Sequence, residues 1–321
     1  MKFLKEIFAH PELAAKPPVL IDIGASTHLP QQWRDIAEYS ICIAFDPDRR
    51  QMEYIEKEGG FKKLYVFPAI VHATINGETD FFLTASPECS STLRPCREKL
   101  EQYLYAHFFK VEQQIKIRAA TLVKVLEELK LSHIDWLKID SQGTDLRLFK
   151  SIPETIRHKT VAVEFEPGII DAYEGEDKLW QILEFMGREP FWCSEFNVHG
   201  SKKITASTAN RFFSPLQRKL LHTVLRPAPG WAELAFLNDL SSKDMGIREY
   251  LLGWTFAMLQ QQYGTALGTA ERGFELFGDE IFKTMTDYAA NRIKKECLLS
   301  PKIPGKILDF FKRKLSVAGK R

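Results

Sequence analysis

VLIDIGAS, Val19 to Ser26, is a run of branched apolar residues that ends on an acid and then loses its side chains. Consecutive Val, Leu and Ile describe a strand covered on both faces, as in a parallel sheet flanked by helices. Asp22 falls near the carboxyl end of that strand, where the connections of an open α/β sheet diverge and leave a ligand crevice. Gly24, Ala25 and Ser26 present little beyond backbone there, so a ligand can come close to the chain.

The pattern repeats. ICIAFDP (Ile41 to Pro47), HIDWLKID (His133 to Asp140) and TVAVEFEP (Thr160 to Pro167) are further apolar runs ending in acids. Helical spacing separates them at Gln31 to Tyr39, Asp48 to Glu58 with Gly59 and Gly60 as its stop, LVKVLEELK behind the N-cap Thr121, Leu146 to Ile152, and Asp177 to Arg188. KLYVFPAIV (Lys63 to Val71) reads as another strand, and TDFFLTA after the Asn76-Gly77 turn signal reads as its hairpin partner. QIKIRAA alternates as a half-buried strand, and PFWCSEF closes the series with Trp192 and Cys193 in the core. Strands alternating with helices of this length predict βαβ units and an α/β, doubly wound, mostly parallel sheet. From Ala209 onward no strand is evident, and long helical stretches cover Ile247 to Tyr263 and Ala270 to Glu296. The expected organisation is an N-terminal helical segment (1–18), a sheet domain (19–208) and a C-terminal helical appendage (209–321).

Composition narrows the function classes. Hydrophobic residues at 45% and charged residues at 27% of 321 are ordinary for a soluble globular chain. A formal charge of +2 gives no overall field for nucleic acid. Five scattered cysteines without a CxxC pair argue against a disulfide framework or zinc site and fit a reducing cytoplasm. The N-terminal MKFLKEIFAHPEL interrupts its apolar positions with charge, so it reads as a short amphipathic helix and not a signal peptide. No apolar run approaches the roughly 20 residues that span a bilayer.

A doubly wound sheet gathers Asp22, Asp46, Asp140 and Glu164 along its ligand edge. An acid about twenty residues past a glycine-bearing first turn is the usual partner of a ribose diol, and Asp46 stands there. A dinucleotide also needs a glycine-rich turn for its pyrophosphate, but GASTHLP holds one glycine. A nucleoside without a pyrophosphate, such as S-adenosylmethionine, fits better.

These residues resemble the FkbM-type methyltransferases, which use S-adenosylmethionine on a Rossmann-like class I methyltransferase fold. IDIGAS is similar to the family's first motif and AFDPD to its second. The strongest resemblance is the block ATLVKVLEELKLSHIDWLKIDSQGTDLRLFKSI (Ala120 to Ile152), and the likeness runs from about Val19 to about Asn197. It implies O-methylation of a sugar hydroxyl in a cell-surface glycan or small-molecule glycoside. Asp22, Gly24 and Ala25, with Ser26, are then expected at the methionine side of the cofactor, Asp46 at its ribose, Ser91 at or over the cofactor, and Asp140 beside the reactive methyl. Asp140, Glu164, His28 or His72 is the candidate base, with Asp140 also readable as a cap of the next helix. Thr27 to Pro30, Ser141-Gln142 and Asp145 depart from the family pattern. The edge carboxylates offer a place for Mg²⁺. Two rival readings stand beside this one: a non-catalytic module that binds cofactor or partner, and, less favoured, an RNA methyltransferase. The basic, apolar-striped end KIPGKILDFFKRKLSVAGKR suggests peripheral contact with the inner membrane surface.

Overall fold

The apolar runs form the middle of a seven-stranded sheet. The computed structural model describes residues 2–25, 29–47 and 60–299. Its strands in chain order are β1 (Val19–Ile23), β2 (Ile41–Phe45), β3 (Lys63–Phe67), β4 (Ile70–Val71), β5 (Gly77–Thr84), β6 (Val111–Ala120), β7 (Trp136–Ile139), β8 (Ala162–Phe165), β9 (Phe191–Ser201) and β10 (Ala228–Asn238). The large sheet runs β3-β2-β1-β7-β8-β10-β9. Its first five strands are parallel, and β10 lies antiparallel between β8 and β9. The order reverses at β1, and a crevice opens there beyond the carboxyl ends of β1 and β7.

Strand alternation explains the layers. Val19, Ile21 and Ile23 join a core with Leu122, Val125 and Leu126 of one helix, Leu148 and Phe149 of a second, and Ile182 and Met186 of a third. Leu20 and Asp22 therefore point to the opposite face. Thr121 caps the first of these helices by accepting from the Lys124 amide.

Several expectations are corrected. The boundary at 208 falls short of the sheet's last strand, because β10 lies inside the region expected to be helical. TDFFLTA does not fold back on the preceding run: β5 pairs antiparallel with β6, in a second sheet ordered β4-β6-β5. Lys63 to Val71 is two strands in two sheets, separated around Pro68. Gln31 to Tyr39 forms two short 3₁₀ turns. Cys193 is exposed, since β9 is an edge strand. The helix expected over Asp48 to Glu58 and the basic C-terminal end lie outside the described residues.

The chain divides into two packing units after Leu252. In the second, the helices Tyr263–Phe277 and Ile281–Leu299 form a hairpin joined through Gly278, which takes a left-handed conformation with φ of 66°. Gly273 lets them close, as a Cβ there would stand 2.6 Å from the Phe282 ring. No helix among the described residues is long and apolar enough to cross a membrane.

Candidate active site

Register places the charged residues in rows. Asp22 pairs with Lys138 across β1 and β7, and Lys138 with Glu164 across β7 and β8. All three side chains share one face of the sheet. The Lys138 ammonium lies 3.1 Å from the Asp22 carboxylate, which is wholly buried. Burial works against the charge on Lys138, but Asp22, Asp140 and Glu164 outweigh it and hold its pKa above the usual lysine value. Glu164 accepts from Trp136 Nε1 at 2.7 Å and Gln32 Nε2 at 3.2 Å. Burial pushes its carboxyl up to about 7 against the pull of those hydrogen bonds and Lys138.

One step further along the strands, Asp140 and Glu166 form a second row at the sheet edge. Both are held above the ordinary carboxylate range, by burial first; Asp140 adds to the rise of Glu166 by like charge. A proton shared between them relieves that repulsion. The Asp140 amide donates to Ile23 O at 2.9 Å, bringing the end of β7 against the first turn. Gly24 makes this approach possible. Its φ is 83°, and a Cβ there would sit 2.0 Å from the Asp140 carbonyl oxygen.

The turn after β7 aims the acid. Gln142 has φ of 55°, an uncommon conformation for a residue with a side chain. Its Nε2 donates to Asp140 Oδ1 at 2.5 Å, and its Oε1 accepts from the Tyr173 hydroxyl at 2.9 Å. Ser91 Oγ holds the Gln142 carbonyl at 2.7 Å. Asp145 fastens this turn to β8: it accepts from the Ser141 amide and hydroxyl and from the Glu166 amide. Burial pushes Asp145 up to about 7. The residue at the helix start that ties down the turn is therefore Asp145, leaving Asp140 facing the cavities.

Asp140 lines three cavities. The first is walled by Gly24, Phe45, Asp46, Ile70, Val71, Phe81, Ser90 and Gln142. The second, about 350 Å³, is polar, with Gln32, Lys138, Glu164, Glu166, Glu195, Asn197 and Glu233. The third, about 510 Å³, is aromatic: Tyr105, Phe108, Phe109, Tyr173 and Trp231 surround it, with Glu88, Glu166, Glu176, Lys202 and His222 among its polar groups.

Of the residues expected at a cofactor, Gly24, Asp46 and Asp140 meet in the first cavity. Three others stand behind its wall. Asp22 is paired with Lys138, the Ala25 amide donates to Phe45 O at 3.0 Å, and Ser91 supports Gln142. Ser26 and His28 lie outside the described residues. Glu164 lines the second cavity and not the first or third. His72 uses Nδ1 to accept from the amides of Thr74 and Ile75, so it closes a turn and lines none of the three cavities. Sequence reasoning missed Lys138 and Gln142, although both stand in the LKIDSQG block, and Glu166, Tyr173 and Trp231. Among the described residues no three His, Cys, Asp or Glu side chains are grouped to hold a metal ion, so the expected Mg²⁺ finds no such group there.

Residues 43–197 match the Methyltransferase FkbM domain family. No curated protein matches the chain. A solved structure, "StiE O-MT residues 961-1257", is similar with a TM-score of 0.31 and 9% identity, covering 81% of this chain and 80% of that one.

Proposed function

We propose that the FkbM methyltransferase domain of this chain transfers a methyl group from S-adenosylmethionine to a hydroxyl oxygen of a sugar, in a glycan or small-molecule glycoside. The observation that carries this reading is the position of Asp140, on the wall of both the Gly24–Asp46 cavity and the aromatic cavity. The lining of the first cavity has the chemistry a nucleoside needs. Gly24 leaves its backbone bare, Asp46 offers a carboxylate for a ribose diol, and Phe45, Ile70, Val71 and Phe81 supply apolar walls for a base. When bound, S-adenosylmethionine supplies an electrophilic methyl group on a sulfonium sulfur.

The chain's own residues then do three things. Asp46 and Gly24 orient the donor, and the aromatic walls offer flat apolar surface to the faces of a sugar ring while Glu176, Lys202 and His222 address its hydroxyls. Alignment of the acceptor oxygen behind the methyl carbon supplies much of the rate. The Asp140–Glu166 pair takes the proton that the attacking hydroxyl releases, and Gln142 keeps the Asp140 carboxyl turned toward it. Calorimetry with S-adenosylmethionine, followed by a mass-spectrometric screen of glycosides for one added methyl group, tests the proposal. Absence of cofactor binding refutes it, and binding without transfer to any hydroxyl acceptor returns the site to a non-catalytic binding role.

A further inference from the structure

The segment between β9 and β10 contributes nothing to the carboxylate rows, yet it is folded. Its two helices, Ala206–Phe212 and Pro215–Val224, each begin on a hydroxyl cap: Thr205 accepts from the Thr208 amide and Ser214 from the Gln217 amide. The Arg218 guanidinium donates to Asn210 Oδ1 and ties one helix to the other. The second helix turns Leu221 inward at 3% exposure. On another side Leu216, Leu220 and Val224, spaced four residues apart, are 71%, 51% and 70% exposed, and Phe212 at the end of the first helix is 65% exposed. The three spaced residues of the second helix form one continuous apolar stripe.

The charge along this segment is of one sign. Lys202, Lys203, Arg211, Arg218, Lys219 and Arg226 give six cations, and no Asp or Glu occurs from Phe196 to Ala232. The rest of the chain is net negative by four charges, since the total is only +2 and this segment alone carries +6. A concentrated positive segment with an uncovered aliphatic stripe is the combination that seats a helix at an anionic lipid interface: apolar side chains enter the acyl boundary while the cations meet the headgroups. Nucleic acid would match the cations but leave the leucines and valine in water. A second copy of the chain would bring the same six cations against these.

We propose that this helical pair docks on an anionic membrane surface through Phe212, Leu216, Leu220 and Val224. His222 of the second helix and Lys202 before the first also line the aromatic cavity. Helical spacing puts His222 on the side of the second helix away from the stripe, so docking holds that cavity one helix diameter, about 10 Å, from the headgroups, within reach of a lipid-linked or membrane-presented acceptor. This last step rests on the reading of the cavity as an acceptor site; the docking does not.

Co-sedimentation of the full chain with vesicles tests the docking without any turnover. The wild type is expected to sediment with phosphatidylcholine vesicles containing phosphatidylglycerol, less so with phosphatidylcholine alone, and less so as salt is added. The triple variant Leu216→Ser, Leu220→Ser, Val224→Ser is expected to bind about tenfold more weakly or worse, given the methylene groups it withdraws from the lipid, with an unchanged far-ultraviolet circular dichroism spectrum and thermal midpoint. Lys219→Glu with Arg226→Glu is expected to lose about fivefold for each basic residue removed from the surface. Sedimentation of the triple variant equal to wild type, or no sedimentation of wild type with the anionic vesicles, overturns the proposal. So does retention of polyuridylate RNA by a wild type that ignores vesicles, an outcome that assigns the segment to nucleic acid.

Discussion

At Gly24 two requirements meet in one residue: a backbone φ of 83° and a gap to the Asp140 carbonyl that no side chain can enter. Gly24→Ala is expected to lower unfolding stability by more than about 1 kcal/mol, because the strain and the clash act together, and to abolish cofactor binding by separating β1 from β7. Urea denaturation and calorimetry read the two effects separately. Asp46 lines the same cavity at 5% exposure. Its removal in Asp46→Ala is expected to cost about 1.5–3 kcal/mol of S-adenosylmethionine binding, as for hydrogen bonds to a charged group. Unchanged affinity in the folded variant would dismiss the ribose assignment. For Asp140→Asn, shape survives while proton acceptance does not, so a fall of about 10²- to 10⁴-fold in turnover with a smaller change in cofactor affinity is expected. Gly24, Asp46 and Asp140 were all legible in the sequence, because each follows an apolar run and strand ends collect at one edge. Gln142 and Lys138 were not. Their partners are set by a left-handed turn and by strand register, neither of which is written in spacing along one strand.

Strands carry the next layer of meaning, and here local signals misled in two places. Asn76-Gly77 has the form of a hairpin turn, yet Asn76 uses its side chain to accept from the Thr121 amide and hydroxyl, fixing the start of a helix far along the chain. The partner of β5 is β6, which only tertiary packing selects. β10 was missed because Pro227, Pro229 and Gly230 precede an apolar run that, buried between two strands, lacks polar alternation. The rows of acids follow from register and have a pH consequence. Glu164 rises from an ordinary 4.5 to about 7 through burial. The fold thus favours its neutral form, and the stability it contributes is complete below about pH 4.5 and lost as pH rises through about 7. The melting temperature is expected to fall from about pH 5 to about pH 8, and Glu164→Gln, which keeps an acceptor for Trp136, is expected to flatten part of that fall. Asp145, also raised to about 7, supplies a further part. A pH profile of melting temperature identical in wild type and Glu164→Gln would show that Glu164 is solvated in the native state.

The first packing unit as a whole depends on a buckle that no motif announces. Asp135, just before β7, is 1% exposed and accepts from the Val19 amide at 2.8 Å, which fixes the start of β1. Arg248, 5% exposed by its side chain, grips both carboxylate oxygens at 2.7 and 2.8 Å and donates from Nε to Lys16 O at 3.0 Å. One guanidinium therefore joins the chain ahead of β1, the approach to β7 and the helix that begins at Ile247. Burial alone pushes the Asp135 carboxyl up, but Arg248 outweighs it and holds the pKa below the ordinary value. Asp135 and Arg248 stand 113 residues apart, so the pair is invisible to any reading of local pattern. A buried ion pair of this kind adds little over an apolar replacement of the same shape, whereas breaking it from one side strands a charge. Arg248→Met is accordingly expected to cost about 3–5 kcal/mol in urea denaturation at neutral pH. Adding Asp135→Asn to Arg248→Met is expected to recover part of that loss, because the stranded group is then neutral and can still accept from Val19. A loss below about 1 kcal/mol for the single variant, the size measured for exposed pairs, would mean that water reaches Asp135 once the arginine is gone.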